Sequence, residues 1–163
     1  MSLSPEAIAT LSGVSTATIT TVLLKKGLRN VWMRGTKPLR PGQPRLVGPA
    51  FTLRFVPARE DLATPESWSS PISTRTAIEA MPAGCIAVVD AMGITDAGIF
   101  GDILCARMAK RGVAALITDG VVRHGAYRRV KGSVHQKAPA QAPVAAPASV
   151  AAASDDDTDE ASE

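Results

Sequence analysis

Apolar and polar positions change their spacing several times along the chain, and each change predicts an element. Ser4-Pro5-Glu6 combines a capping hydroxyl, a proline at the first helical position and an acid in the first turn, so a short helix runs on to Gly13. "STATITTVLLKKG" repeats that grammar: Ser15 or Thr16 caps, Ile19, Val22 and Leu23 share a face, and Gly27 stops the helix. Residues 29–45 are rich in Pro, Gly and Arg and read as loop. "RLVGPAFTLRFVPA" alternates well enough for a strand over 47–56, with a bend at Gly48-Pro49. "AREDLATPESWSSP" reads as loop and "ISTRTAIEAM" as a helix. Pro82-Ala83-Gly84 then turns the chain into "CIAVVDA", an apolar run of buried-strand length.

"GDILCARMAKRGVAALITDGVVRH" (residues 101–124) follows. Asp102 through Arg111 keeps helical spacing, Gly112 stops it, and "VAALIT" is a second continuous apolar strand. Helices alternating with such strands predict an α/β fold, a sheet covered by helices. A helix of about ten residues runs roughly 15 Å away from Asp102, and a strand of about six residues returns roughly 20 Å. The loop 119–124 therefore comes back to the edge where the helix begins, the carboxyl end of the strand, where open α/β sheets usually place ligands. The N–H groups of Ile103 and Leu104 lack helical acceptors and lie at the positive end of the helix dipole, and Arg123 adds a two-point grip on the same anion. Taken singly, these residues mean less. Asp102 reads as an N-cap, Asp119-Gly120 as a turn, Arg123 and His124 as exposed loop residues, and Asp90 and Asp96 as caps of neighbouring turns rather than ligands.

Beyond Val130 the pattern dissolves. "KAPAQAPVAAPASVAAASDDDTDEASE" is Ala/Pro-rich and then acidic, without a periodic face. This divides the chain into a folded domain over 1–130 and a disordered tail over 131–163. Charge follows the same division. All 18 Lys and Arg precede residue 151, whereas six of the 15 Asp and Glu lie after it, so the formal charge of +3 hides a basic body. Its cations are scattered and aromatics are only 4%, which argues against a nucleic-acid surface. Cys85 and Cys105 sit inside apolar patterns and are expected as buried free thiols. No export signal or run of roughly 20 apolar residues is present, so the expected location is cytoplasmic, with no membrane partner.

The combined pattern resembles the family of 4-hydroxy-4-methyl-2-oxoglutarate aldolases and the regulator of ribonuclease activity A (RraA-like). The family signature is Gly-Asp, twenty intervening residues, then Arg-Asp; here Gly101-Asp102 and Arg123 keep that spacing. "STATITTVLLKKG", "LVGPAFTLRF" and "MPAGCIAVVDAMG" are similar to the family's preceding segments, in order, so the resemblance covers roughly residues 5–127. It implies a swivelling β/β/α domain assembled as homotrimers or hexamers, and a class II lyase that uses a divalent cation, Mg²⁺ or Mn²⁺. Such enzymes release pyruvate from small 2-oxo acids, by retro-aldol cleavage or by oxaloacetate decarboxylation, through a pyruvate enolate. On this resemblance Arg123 binds the pyruvyl group and stabilises the enolate. Gly101 and the amides of Ile103 and Leu104 hold the carboxylate, and Asp102 orients the water that acts as base.

The sequence departs from the family pattern twice. His124 stands at the family's metal-binding Asp position, with a softer neutral nitrogen in place of a hard anionic oxygen. The family also continues for several dozen residues where this chain has its Ala/Pro-rich tail, so the domain reads as truncated at its C-terminus, of a composition that suits a shifted reading frame. Two other functions compete with the lyase: a non-catalytic regulator that binds a ribonuclease or helicase, and an inactive truncated relative. The lyase ranks first because nothing in the sequence marks a protein-binding patch.

Overall fold

A computed structural model describes residues 3–39, 41–123 and 133–137 of the 163. Two short helices come first, α1 (Pro5–Gly13) and α2 (Thr16–Lys25), where the capping hydroxyls predict them. Ser4 accepts from the Ala7 N–H and Ser15 from the Thr18 N–H, each at 3.1 Å. The chain bends by 110° between these helices. Neither contains a buried residue, so their sequence specifies helix without supplying core.

The main sheet has five strands in the order β1-β7-β5-β3-β2. Its centre is β2 (Ala50–Arg54), β3 (Ile86–Asp90) and β5 (Ala115–Thr118), all parallel, flanked by β7 (Ser133–Lys137) parallel to β5. β1 (Thr36–Pro38) closes the far edge antiparallel to β7. The parallel connections run through α3 (Thr74–Ala80) and α4 (Asp102–Lys110), with a short 3₁₀ helix at Pro65–Ser69 ahead of α3. Crossovers that advance in one direction place their helices on one face of the sheet. Accordingly α3 and α4 meet: Glu79 takes two 2.6 Å hydrogen bonds from Arg107 and a longer one, 3.4 Å, from Arg111. A separate pair, β4 (Gly98–Phe100) and β6 (Val121–Val122), lies parallel.

The core sits under α3 and α4. Ile78, Met81, Cys85, Ala87, Val89, Phe100, Cys105, Met108, Val113 and Leu116 form one buried cluster. Phe55 meets Phe100 edge to face at 6.2 Å. Both cysteines are free and buried, as their apolar surroundings predict. Burial pushes the Cys105 thiol up to about 11, with the Asp102 charge adding to the shift, and raises the Cys85 thiol as well.

Several sequence expectations need correction. The strand expected over 47–56 is only Ala50–Arg54, because Gly48-Pro49 bends the chain and the ladder with β3 ends at Arg54–Asp90. The loop expected over 29–45 contains β1. The tail expected to be disordered from 131 contains β7, whose main chain pairs with both β5 and β1; this pairing does not depend on a periodic apolar face. The rest of 131–163 lies outside the described residues. Among those residues, no single helix is long and apolar enough to cross a membrane.

Candidate functional site

The carboxyl edge of the sheet is organised by two carboxylates that the sequence read as turn formers. Asp119 follows β5 and accepts from the Ala91 N–H at 2.6 Å and the Gly93 N–H at 2.9 Å, tying down the loop after β3. Met92, between those amides, takes a positive φ of 59°. Asp90 caps the same loop through the Met92 N–H and receives the Arg54 guanidinium at 2.8 Å. Both acids are therefore committed to loop structure. Asp119 does more than make a turn, since it joins two strand ends across 28 residues.

The chain leaves Asp119 through β6 and delivers Arg123 to the start of α4. The Arg123 N–H donates to the Phe100 carbonyl at 3.0 Å, which brings the side chain across β4 and the helix entry. Gly98 and Gly101 make room for it. A Cβ on Gly101 would lie 3.2 Å from Nη2 of Arg123, and one on Gly98 would run into the Arg123 Cγ. Gly98 is a positioning residue that sequence reasoning missed. Its only signal is a glycine within a short apolar run, and its reason appears only when β4 and β6 pair. Among the described residues no carboxylate pairs with the Arg123 guanidinium.

Gly101, not Asp102, is the N-cap of α4, which corrects the reading of Asp102 as a cap. Asp102 is the first helical residue and exposed, and its Oδ1 accepts from the Ile103 N–H at 2.9 Å. The Ile103 amide thus already has a local acceptor. The Leu104 amide, in the same first turn, lacks one within the helix. Asp102, Ile103, Leu104 and Arg123 line one open groove of about 1460 Å³, together with Trp68, Arg75, Glu79 and Arg107. The convergence of Asp102 and Arg123 predicted from helix and strand lengths is thus present.

His124 lies outside the described residues, and Asp96 does not line the groove. Among the described residues no three His, Cys, Asp or Glu side chains converge on a metal-sized site. Among the described residues Asp102 is the one free-standing carboxylate the groove presents, since Glu79 is engaged by Arg107 and Arg111. The described residues by themselves therefore supply no multi-ligand protein site for a divalent cation.

Comparison with known proteins places this geometry. An RraA-like family model (Aldolase/RraA) matches residues 16–152. The chain is similar to the crystal structure of RraAS2 from Streptomyces coelicolor, described as an unusual member of the RNase ES inhibitor RraA protein family. The identity is 27% and the TM-score 0.68, over 82% of this chain and 64% of that one. A protein from Pseudomonas syringae pv. tomato shares the fold at 20% identity, with a TM-score of 0.65 over 85% of this chain and 58% of that one. The chain therefore spans about three fifths of the length of these structures. No curated protein gives a match. With its mixed parallel sheet, its crossover helices and a family match that takes in most of its length, the chain belongs to the RraA-like family.

Proposed function

We propose that the chain is a lyase of pyruvyl substrates, releasing pyruvate from 4-hydroxy-4-methyl-2-oxoglutarate by retro-aldol cleavage and carbon dioxide from oxaloacetate. One observation carries the reading: the Arg123 side chain passes with its stem against Gly98 and its guanidinium against Gly101 at the entry of α4, with no carboxylate among the described residues to neutralise it. A guanidinium held in this way offers two parallel N–H groups to a planar carboxylate or enolate. The Leu104 amide and the positive end of α4 add to the same field.

In both reactions the breaking C–C bond leaves its electron pair on the carbon beside the keto group, and the charge moves onto the keto oxygen. Arg123 stabilises that oxygen as the charge develops. For the aldol substrate a proton must also leave the C4 hydroxyl. Asp102, exposed at the rim, orients the water that removes it. Oxaloacetate needs no such base, because the departing group is carbon dioxide. In each case the enolate then takes up a proton to become pyruvate.

A divalent cation, Mg²⁺ or Mn²⁺, would supply a further electron sink when bound. Its protein donors would come from outside the described residues, at His124 or from another subunit of a homotrimer or hexamer. A cytoplasmic location belongs to the same reading.

The test is pyruvate release from oxaloacetate by the parent and by Arg123→Lys, with Mg²⁺ or Mn²⁺. Lysine keeps the charge but not the planar fork, so a loss of about tenfold or more in kcat/KM is expected. A variant with at least half the parent kcat/KM removes Arg123 from the mechanism. The likeness to the Streptomyces coelicolor protein supports a second reading, a non-catalytic regulator that binds a ribonuclease or helicase. Inhibition of a ribonuclease by the purified chain, without pyruvate release, would favour that one.

A further inference from the structure

α3 and the 3₁₀ helix ahead of it bring a second uncommitted guanidinium to the groove that Arg123 lines. Arg75 lies over Trp68, with its Cζ 5.3 Å from the ring centroid. Glu79 follows four residues later on α3, the spacing at which an Arg–Glu pair normally forms. That partner is already taken. Both Glu79 oxygens are held by Arg107 at 2.6 Å, and Arg111 lies 3.4 Å from Oε2. Arg75 is therefore restrained by an aromatic face, exposed, and without a carboxylate among the described residues.

Of the described arginines lining the groove, Arg107 is committed to Glu79, whereas Arg75 and Arg123 are not. The remaining lining includes Ile72, 95% exposed, and Ile103, 79% exposed. These two side chains can face the methylene groups of a ligand, within a lining that also holds Ser67, Ser70, Ser73 and Thr74. The volume of about 1460 Å³ exceeds the roughly 300–1,000 Å³ of ordinary small-molecule pockets. A pyruvyl group at Arg123 leaves most of it unfilled.

We propose that Arg75, steadied on Trp68, is a specificity-determining residue that binds the second carboxylate of a 2-oxo dicarboxylic acid whose pyruvyl end lies at Arg123. The inference rests on the pyruvyl reading of Arg123. It makes the chain selective for acids in which a carbon chain separates two carboxylates, over 2-oxo acids with a single carboxylate. Trp68 contributes by holding the guanidinium in place, since its face attracts the cation without consuming its N–H donors.

Calorimetric titration of the full chain tests this, with 2-oxoglutarate as the dicarboxylic probe and 2-oxobutyrate as the monocarboxylic one, each with and without Mg²⁺. The proteins are the parent, Arg75→Gln and Arg123→Gln, with far-UV circular dichroism confirming the fold of each. Arg75→Gln is expected to weaken 2-oxoglutarate binding by about tenfold or more while leaving 2-oxobutyrate within about twofold. Arg123→Gln is expected to weaken both probes. If Arg75→Gln weakens both equally, or neither, the role of Arg75 is overturned and that of Arg123 stands. If Arg123→Gln weakens neither, or the parent binds neither probe, the pyruvyl reading falls and this inference falls with it.

Discussion

Helices α1 and α4 are each nine residues long, yet α4 buries Cys105 and Met108 completely while α1 buries nothing. The contrast extends to their surroundings. Every fully buried apolar residue among those described lies between Ile78 and Leu116. In α2, Val22 and Leu24 stay about half exposed. Caps and periodicity settle whether a helix forms, and both regions have them. Burial needs a facing layer. α4 is a crossover between β3 and β5, so the sheet holds it at both ends, and its Cys105 and Met108 join one buried cluster with Ala87, Val89 and Leu116 of those strands. α1 and α2 precede the sheet and are joined to it through a single connection. The candidate site sits on the half of the molecule that owns the core, which is why Arg123 and Gly101 have fixed neighbours.

The largest test of this contrast is Phe100→Ala against Leu24→Ala. Phe100 is fully buried and meets Phe55, so its truncation should cost about 3–5 kcal/mol in urea denaturation. Leu24 is 51% exposed, and its truncation should cost less than about 1 kcal/mol. Comparable losses would mean that α2 is packed in the folded state and would erase the distinction.

Gly98→Ala sharpens the comparison on the side of the site. The new methyl group runs into the Arg123 Cγ, so the guanidinium must move. A displacement of about 1 Å can cost on the order of 10²-fold in rate, so on the proposed lyase reading pyruvate release should fall by about 10- to 100-fold. The urea midpoint should stay close to that of the parent, because Gly98 is only half-buried. A variant that unfolds with its activity per folded molecule intact would make Gly98 a stability residue instead.

Ser15→Ala probes the other region. Ser15 accepts from the Thr18 N–H at 3.1 Å, and losing such a cap costs about 1 kcal/mol of helix stability. Helices this short are marginal alone. Amide exchange over residues 16–25 should therefore quicken while the unfolding midpoint of the core stays unchanged. Unaltered exchange would show that tertiary contacts, not the cap, hold α2.

The smallest effect is expected from Glu79, which joins α3 to α4. The Arg107 guanidinium holds its carboxyl below the usual carboxylate range. A carboxylate with a depressed folded value adds stability above its unfolded pKa, near 4.5, and loses it as pH falls through the folded value. The stability gap between the parent and Glu79→Gln should be constant at neutral pH and close as the pH falls below about 4. The pair is about half exposed, so solvent screening keeps the gap small. A gap that does not change down to pH 3 would mean that the pairing with Arg107 adds nothing to the fold.

The elements that rest on local chemistry were legible in the chain. Ser4 and Ser15 mark helix starts that are present, and the apolar runs at 86–90 and 115–118 are buried strands. Cys85 and Cys105 are free and buried, and Gly101-Asp102 and Arg123 come to one groove. Four short strands were not legible. β1, β4, β6 and β7 are two to five residues long. Over the two or three positions of β1, β4 and β6 no period can stand out from loop composition, and β7, although as long as β3, reads SVHQK and offers a single apolar residue. The capping role of Asp102 was misread for a related reason: Gly101 can cap without a side chain, so only the backbone shows which residue begins the helix.

The sequence by itself determined the caps of α1 and α2, the two central apolar strands, and the spacing that returns Arg123 to the start of α4. These depend on neighbours within a turn or on element length, and both are carried by local order. Only the tertiary structure decided which helices are covered and which glycines are indispensable. It also decided which charges remain available. Arg75 and Arg107 look alike in the chain, one turn before and far beyond Glu79. Packing α3 against α4 gave Glu79 to Arg107 and left Arg75 on Trp68. A carboxylate has two oxygens to offer, and which cation reaches them first is a matter of three-dimensional placement, not of sequence distance.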